Sequence, residues 1–179
     1  MELIAGHNNR AADIVQLFSA VFTASEGENE GRLIGDLVTA LIDTTAGEDL
    51  CVFSAYESDC LVGCIFFTRL SYIQDTRTVF MLSPVAIKTD RQKSGIGQKL
   101  ITFGLGELRN KGIDMVITYG DPNYYSKVGF AQISEETARA PLKLQHPQGW
   151  QGQSLTGKPI EPVTGPAQCV PPFNNSELW

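Results

Sequence analysis

The stretch Val79-Phe80-Met81-Leu82-Ser83-Pro84-Val85-Ala86-Ile87, continuing through Lys88-Thr89-Asp90-Arg91-Gln92-Lys93-Ser94-Gly95-Ile96-Gly97-Gln98-Lys99-Leu100, decides the fold. Its first half is an apolar run of strand length and β-branched content. Pro84 has no N–H to give a neighbouring strand, so the run is expected to bulge or splay there and to leave backbone groups for a ligand. The second half turns on two glycines into a helical pattern that places Ile96, Leu100, Phe103 and Leu108 on one side and ends at Lys111-Gly112. Gly104 and Gly106 lower helix propensity and are expected to mark close packing on a sheet. A strand, a glycine turn and a helix in succession aim several N–H groups at one point on a positive helix end, where an anion is held by backbone alone. Four basic residues and one acidic residue lie between Lys88 and Lys99.

Working toward the N-terminus, Leu61 to Leu70 and Cys51 to Tyr56 read as a hairpin around the turn residues Ser58-Asp59. Two amphipathic helices precede it. Ile14, Leu17, Phe18, Val21 and Phe22 form one apolar face, and Ile34, Leu37, Val38, Leu41 and Ile42 the other, separated by the polar stretch Ser25 to Gly31. A short apolar run at 2–5 and capping material at His7-Asn8-Asn9 come first. Toward the C-terminus, Met115 to Tyr119 is a strand, Asp121-Pro122-Asn123 opens a short helix through Val128, and Gly129-Phe130 leads into another strand. The remaining residues hold most of the prolines and little periodicity, with one strand expected at 150–155. Periodicity and turn signals thus predict an α/β domain with a mixed sheet and one parallel crossover through the helix at 96–111.

The 179 residues carry 42% hydrophobic and 19% charged residues and a formal charge of −6, the composition of a globular chain with a sizeable core. That acidic balance argues against general nucleic-acid or anionic-membrane binding, and no apolar stretch reaches the length of a membrane span. A leader segment is not apparent, and a cytoplasmic location is expected. Cys51, Cys60, Cys64 and Cys169 form no C-x-x-C pair and the two histidines are far apart, so no metal site is expected and the cysteines of the hairpin read as small core residues.

Two rival readings of the glycines fail on spacing. A dinucleotide fingerprint needs glycine where Leu100 stands. The phosphate-loop lookalike Gly152-Gln153-Ser154-Leu155-Thr156-Gly157-Lys158 is followed by Pro159 in place of the required Ser or Thr.

Gln92-Lys93-Ser94-Gly95-Ile96-Gly97 after an interrupted strand, with Tyr125-Ser126-Lys127-Val128-Gly129-Phe130 further on, resembles the GNAT N-acetyltransferase superfamily. Ser83-Pro84-Val85-Ala86-Ile87, Asp90-Arg91-Gln92 and Gly120-Asp121-Pro122-Asn123-Tyr124-Tyr125 are similar to its YhbS-type branch. The resemblance spans 2–135 and is strongest over 82–130. It implies a single α/β (α+β) domain over 1–140, with a mixed, mostly antiparallel sheet splayed at its central strand and helices on both faces. A Pro/Gly-rich extension, 141–179, would pack on the same domain. It further implies acetyl-CoA as cosubstrate, with the pyrophosphate on Gln92, Lys93, Ser94, Gly95, Ile96, Gly97 and Gln98 and the pantetheine arm along Val85, Ala86 and Ile87. Tyr125 falls at the position of a tyrosine near the thioester sulfur. At Thr118, many family members instead have an Asn that contacts CoA.

The chemistry supports these assignments. An amine attacking a thioester forms an oxyanion that a preplaced N–H stabilises, and it expels a thiolate. A phenol with pKa ~10 can protonate a thiolate whose conjugate acid has pKa ~8.5, which fits Tyr125 as general acid, whereas Tyr124 reads as packing. No obvious base stands out. Glu26, Glu28 and Glu30, between the first two helices, read as a solvated acidic turn that can also attract a cationic amine. The expected activity is direct transfer of an acetyl group to a primary amine of a small molecule or peptide, by a monomer or homodimer. A CoA-binding regulatory module without turnover is the alternative from another class.

Overall fold

A computed structural model describes residues 1–7 and 9–179. The elements in chain order are β1 (Glu2–Ala5), α1 (Ala11–Glu26), α2 (Glu28–Thr44), β2 (Leu50–Glu57), β3 (Cys60–Tyr72), β4 (Val79–Ile87), α3 (Ile96–Asn110), β5 (Met115–Tyr119), α4 (Pro122–Tyr125), β6 (Ala131–Gln132), β7 (Trp150–Ser154) and β8 (Ala167–Cys169). Hydrogen-bonded strand order is β1-β2-β3-β4-β5-β7-β6, with β8 on β3. Strand β4 pairs with β5 in parallel, whereas β1 with β2, β3 with β8, and β7 with both β5 and β6 are antiparallel. The parallel pair is joined through α3, the crossover expected from the sequence.

The chain divides into two units, Met1–Phe67 with Pro84–Gly104, and Thr68–Ser83 with Leu105–Trp179. In the first unit, strand alternation sends neighbouring side chains of β3 to opposite faces. Phe66 meets Phe18 of α1 edge to face at 5.4 Å. Phe67 and Ile65 point the other way, against Gly104 of α3, where an added Cβ would stand 2.7 and 3.2 Å from them. Helices therefore cover both faces. Gly106, by contrast, has open space around its Cβ position, so the packing expected of both glycines holds for Gly104 alone. Turn residues Ser58 and Asp59 take φ of +47° and +63°, the left-handed pair that a two-residue hairpin needs. Cys51 and Cys64 are buried, but Cys60 is exposed, because it is the first residue after that turn and not part of the apolar run.

The two N-terminal helices are closer in sequence than their polar spacer suggests. Only Gly27 separates them, at φ +100°, and its N–H still bonds the Thr23 carbonyl at 3.0 Å. Glu28 and Glu30 therefore belong to the first turn of α2, where carboxylates complement the helix dipole, and the acidic stretch is not a free turn. Gly31 and Gly35 let α2 approach α1; a Cβ on Gly31 would fall 1.8 Å from Thr23 Oγ1. At the start of α1, the N-cap position is Arg10, whose side chain makes no capping bond, and Asn8 lies outside the described residues.

In the second unit, β5 is the buried centre of a β4-β5-β7-β6 array. Strand β8, three residues between prolines, is too short to carry a periodic signal, and the sequence predicts no strand there. The segment before it is held by a clasp. Asp75 accepts from Arg77 through both oxygens, Nε at 2.9 Å and a terminal nitrogen at 2.7 Å, and from the Thr164 N–H at 3.0 Å. Arg77 also donates to the carbonyls of Glu161 and Pro162, at 2.8 and 2.7 Å. The Arg77 side chain holds the Asp75 carboxyl well below the usual carboxylate range. A depressed folded pKa adds stability that is complete above the unfolded value of ~4 and is lost as pH falls below it. Asp75→Asn is accordingly expected to lower the melting temperature by several degrees at pH 7, at a cost of about 1–3 kcal/mol. Thermal melts from pH 7 to 3 should show that difference holding constant down to about pH 4 and only beginning to narrow below it, because the contribution is lost in full only as pH falls through the lower folded value. Among the described residues no helix is long and apolar enough to cross a membrane.

Candidate active site

The first unit contains the strand tail and the glycine turn. The β4–β5 ladder runs from Val79 opposite Met115 to Leu82 opposite Thr118, and β4 continues beyond that last pair through Ser83, Pro84 and Val85 to Ile87. Lys88 N–H then bonds the Val62 carbonyl at 2.9 Å. A short 3-10 turn, Thr89–Arg91, leads into the glycine segment. Gln92 closes that segment against the strand, its side-chain amide donating to the Ile87 carbonyl at 3.1 Å. Ser94 Oγ donates to the Arg91 carbonyl. The chain reverses through Lys93 at φ +59° and Gly95 at φ +83°. Lys99 N–H makes the first helical bond of α3, to the Gly95 carbonyl at 3.1 Å. The N–H groups of Ile96, Gly97 and Gln98 precede that bond and have no acceptor within the helix, which makes them donors for an anion. Ile96 and Gly97 are buried and Gln98 is half-buried, whereas Lys88, Lys93 and Lys99 are exposed. Arg91 is pinned by Glu57 at 3.1 Å and Asp90 at 3.5 Å, so part of the local positive charge is already answered. Val85, Ala86 and Ile87 are thus tied to the glycine segment through the Gln92–Ile87 bond.

Tyr125 belongs to the second unit. Asp121 caps α4, its carboxylate accepting from the Asn123 N–H at 2.9 Å, with Pro122 in the first turn. The Asn123 side chain is taken up by the same carboxylate at 3.1 Å. Tyr125 N–H bonds the Asp121 carbonyl at 3.1 Å. After a 3-10 turn, Gly129 at φ +95° folds the chain back, Phe130 N–H meets the Tyr125 carbonyl at 3.2 Å, and the two rings lie edge to face. The glycine and phenylalanine of the Tyr-x-x-x-Gly-Phe motif therefore fix the tyrosine that opens it. The Tyr125 hydroxyl shares a hydrogen bond with the Thr118 side chain, and desolvation pushes its pKa up to about 12. Thr118 Oγ1 also donates to the Leu82 carbonyl at 2.9 Å. Tyr124 is half-buried against the Tyr125 ring at 5.1 Å, and burial raises its pKa too.

Sequence reasoning missed Thr118 as a partner of Tyr125. The available signal was one buried hydroxyl in the otherwise apolar run Met115-Val116-Ile117-Thr118.

A parallel strand that runs on past its ladder, a glycine turn opening the next helix and a capped tyrosine after the following strand are the features on which the resemblance to acetyltransferases rests. The model of the acetyltransferase (GNAT) family matches residues 11–131, and the chain belongs to that family. It is 33% identical over 149 residues to an uncharacterized N-acetyltransferase of Escherichia coli K12, YjhQ, covering 80% of this chain and 81% of that protein. Among solved structures, a GNAT family acetyltransferase from Brucella melitensis in complex with acetyl-CoA superposes with a TM-score of 0.74 at 26% identity, over 97% of each chain. The Escherichia coli YhbS protein in complex with CoA shares the fold, with a TM-score of 0.81 at 21% identity over 98% of this chain and 92% of that one. The fold is thus a GNAT-like α/β domain with a mixed sheet, as the sequence implied.

Proposed function

We propose that this protein transfers an acetyl group from acetyl-CoA to a primary amine of a small molecule or peptide, by direct attack in a ternary complex. The observation that carries the reading is the turn at Gly95, which delivers the opening N–H groups of α3 beside the tail of β4. On this reading the amides of Ile96, Gly97 and Gln98 bind the pyrophosphate, with Lys93, Ser94 and Gly95 shaping the turn. Gln92 locks the turn to the strand, and the main chain of Val85, Ala86 and Ile87 aligns the pantetheine arm. Bound acetyl-CoA supplies an activated thioester and a sulfur leaving group. As the amine nitrogen bonds to the acetyl carbon and the carbon–sulfur bond breaks, Tyr125 donates its proton at Oη to the sulfur; the proton that the amine gives up passes to solvent, from which the phenol is reprotonated, and desolvation keeps the phenol neutral until the transfer. The acetyl-CoA and CoA complexes of the Brucella melitensis and YhbS relatives support the choice of cosubstrate.

A thermal-shift titration with acetyl-CoA tests the first half of this proposal. Saturation at about 100 times the dissociation constant adds about 2.7 kcal/mol and should raise the melting temperature by several degrees. A panel of primary amines, from aliphatic diamines to aminoglycosides and a lysine-containing peptide, read out by release of free CoA thiol, tests the second half. Absence of stabilisation by any acyl-CoA would overturn the proposal.

A further inference from the structure

Gln151 is a polar side chain in the core, 1% exposed, on β7 opposite Thr118 of β5. A buried amide is costly unless its hydrogen bonds are made. Gln151 Nε2 donates to two carbonyls, Gly120 at 3.2 Å and Gly149 at 3.3 Å. The Gly120 N–H bonds the Gly149 carbonyl at 3.0 Å. Gly120 is therefore held at its N–H and at its C=O by the segment that enters β7. The approach is close enough to exclude any side chain at Gly149, where a Cβ would stand 2.9 Å from the Gly120 oxygen. The Tyr125 ring covers Gly120 as well; a Cβ there would meet the ring edge at 2.8 Å. Gly120 also directly precedes Asp121, the cap of the helix that carries Tyr125. Any shift of the Gly120 peptide moves both the cap and the surface on which the ring lies.

We propose that Gln151 is a positioning residue for Tyr125: its two hydrogen bonds fix the Gly120 peptide, and that peptide fixes the phenol. Gln151 and Gly149 lie beyond residue 131, where the match to the family model ends, and the tyrosine they support lies within it. The catalytic consequence rests on the proton-donor reading of Tyr125; the placement itself is measurable without turnover.

Protein labelled with 3-fluorotyrosine gives a fluorine NMR spectrum in which the Tyr125 line is identified by its loss in Tyr125→Phe. Gln151→Met keeps the volume and removes both donors. Gly149→Ala presses a methyl group on the Gly120 carbonyl. Each variant is expected to shift or broaden the Tyr125 line while leaving the line of Tyr72, which bonds the Arg139 carbonyl, in place. A Tyr125 line unmoved in the folded variants overturns the inference; should Gln151→Met fail to fold, Gly149→Ala decides it. With an amine found active in the CoA-release panel, Gln151→Met should lower kcat by about tenfold to a hundredfold and leave the KM for acetyl-CoA within about twofold. In a Tyr125→Phe background it should cost nothing further, whereas losses that multiply would show that Gln151 acts elsewhere and sink the proposal. If Tyr125→Phe alone leaves kcat unchanged, the proton-donor reading falls, and the fluorine line still decides the placement.

Discussion

Tyr125→Phe is expected to lower kcat by about a hundredfold or more while moving the acetyl-CoA dissociation constant by less than about twofold. The substitution removes one oxygen and keeps the ring, so the edge-to-face contacts with Tyr124 and Phe130 persist. Thr118 retains its bond to the Leu82 carbonyl and is not orphaned, so the cost to folding is small. The loss falls on proton delivery alone. A second signature comes from the pKa, pushed up to about 12 by desolvation. A raised pKa keeps the phenol protonated to higher pH, so the acid stays competent where an ordinary tyrosine would begin to ionise near ~10. The pH profile of kcat should therefore show no basic limb near 10 assignable to this residue. So high a pKa also makes the phenol a reluctant donor to a thiol-like sulfur in water; desolvation of the departing sulfur raises its basicity in turn and narrows the mismatch. Equal losses in turnover and in acetyl-CoA binding would count against the acid role.

Gly95→Val should do the reverse, weakening acetyl-CoA binding by about tenfold or more. Nothing lies within 4 Å of the Cβ position at Gly95, so a clash is not the cause. The cause is the backbone: φ of +83° is closed to a β-branched residue except at a cost of about 1–3 kcal/mol. Either that strain is borne, or the turn relaxes and the amides of Ile96, Gly97 and Gln98 lose their common aim. Isothermal titration with acetyl-CoA measures the change directly. Unaltered affinity in a folded variant would remove the glycine turn from the binding site.

How much of this was legible beforehand varies from residue to residue. Pro84 announced an interruption because proline lacks a donor wherever it stands, and the β4–β5 ladder does stop at Leu82. Helices α1, α2 and α3 were legible from apolar spacing, since burial of one helical face imposes a 3.6-residue period on any sequence that folds this way. Their ends were less so. The polar composition of Ser25 to Gly31 looked like a loop, yet the chain needs only Gly27 to turn, because a single residue at positive φ reverses the direction at no steric cost. Gly104 and Gly106 look alike in sequence and differ in the fold, two positions along a helix being far enough around its axis to leave one glycine on the sheet and the other free.

The sequence by itself determined the order of elements from β1 to β7, the positive glycine turn after an interrupted strand, the capped helix bearing Tyr125 and, through these, the family. All of these are local properties, set by the φ range of glycine, the missing donor of proline and the periodicity of buried faces. Tertiary structure alone decided the partners: Thr118 on the Tyr125 hydroxyl, Gln151 on the Gly120 peptide, and Asp75 with Arg77 on the segment around Thr164. Each of these joins groups from different strands or loops. Periodicity reports which face a side chain occupies, but the polar group it meets there is fixed only when the other segment arrives.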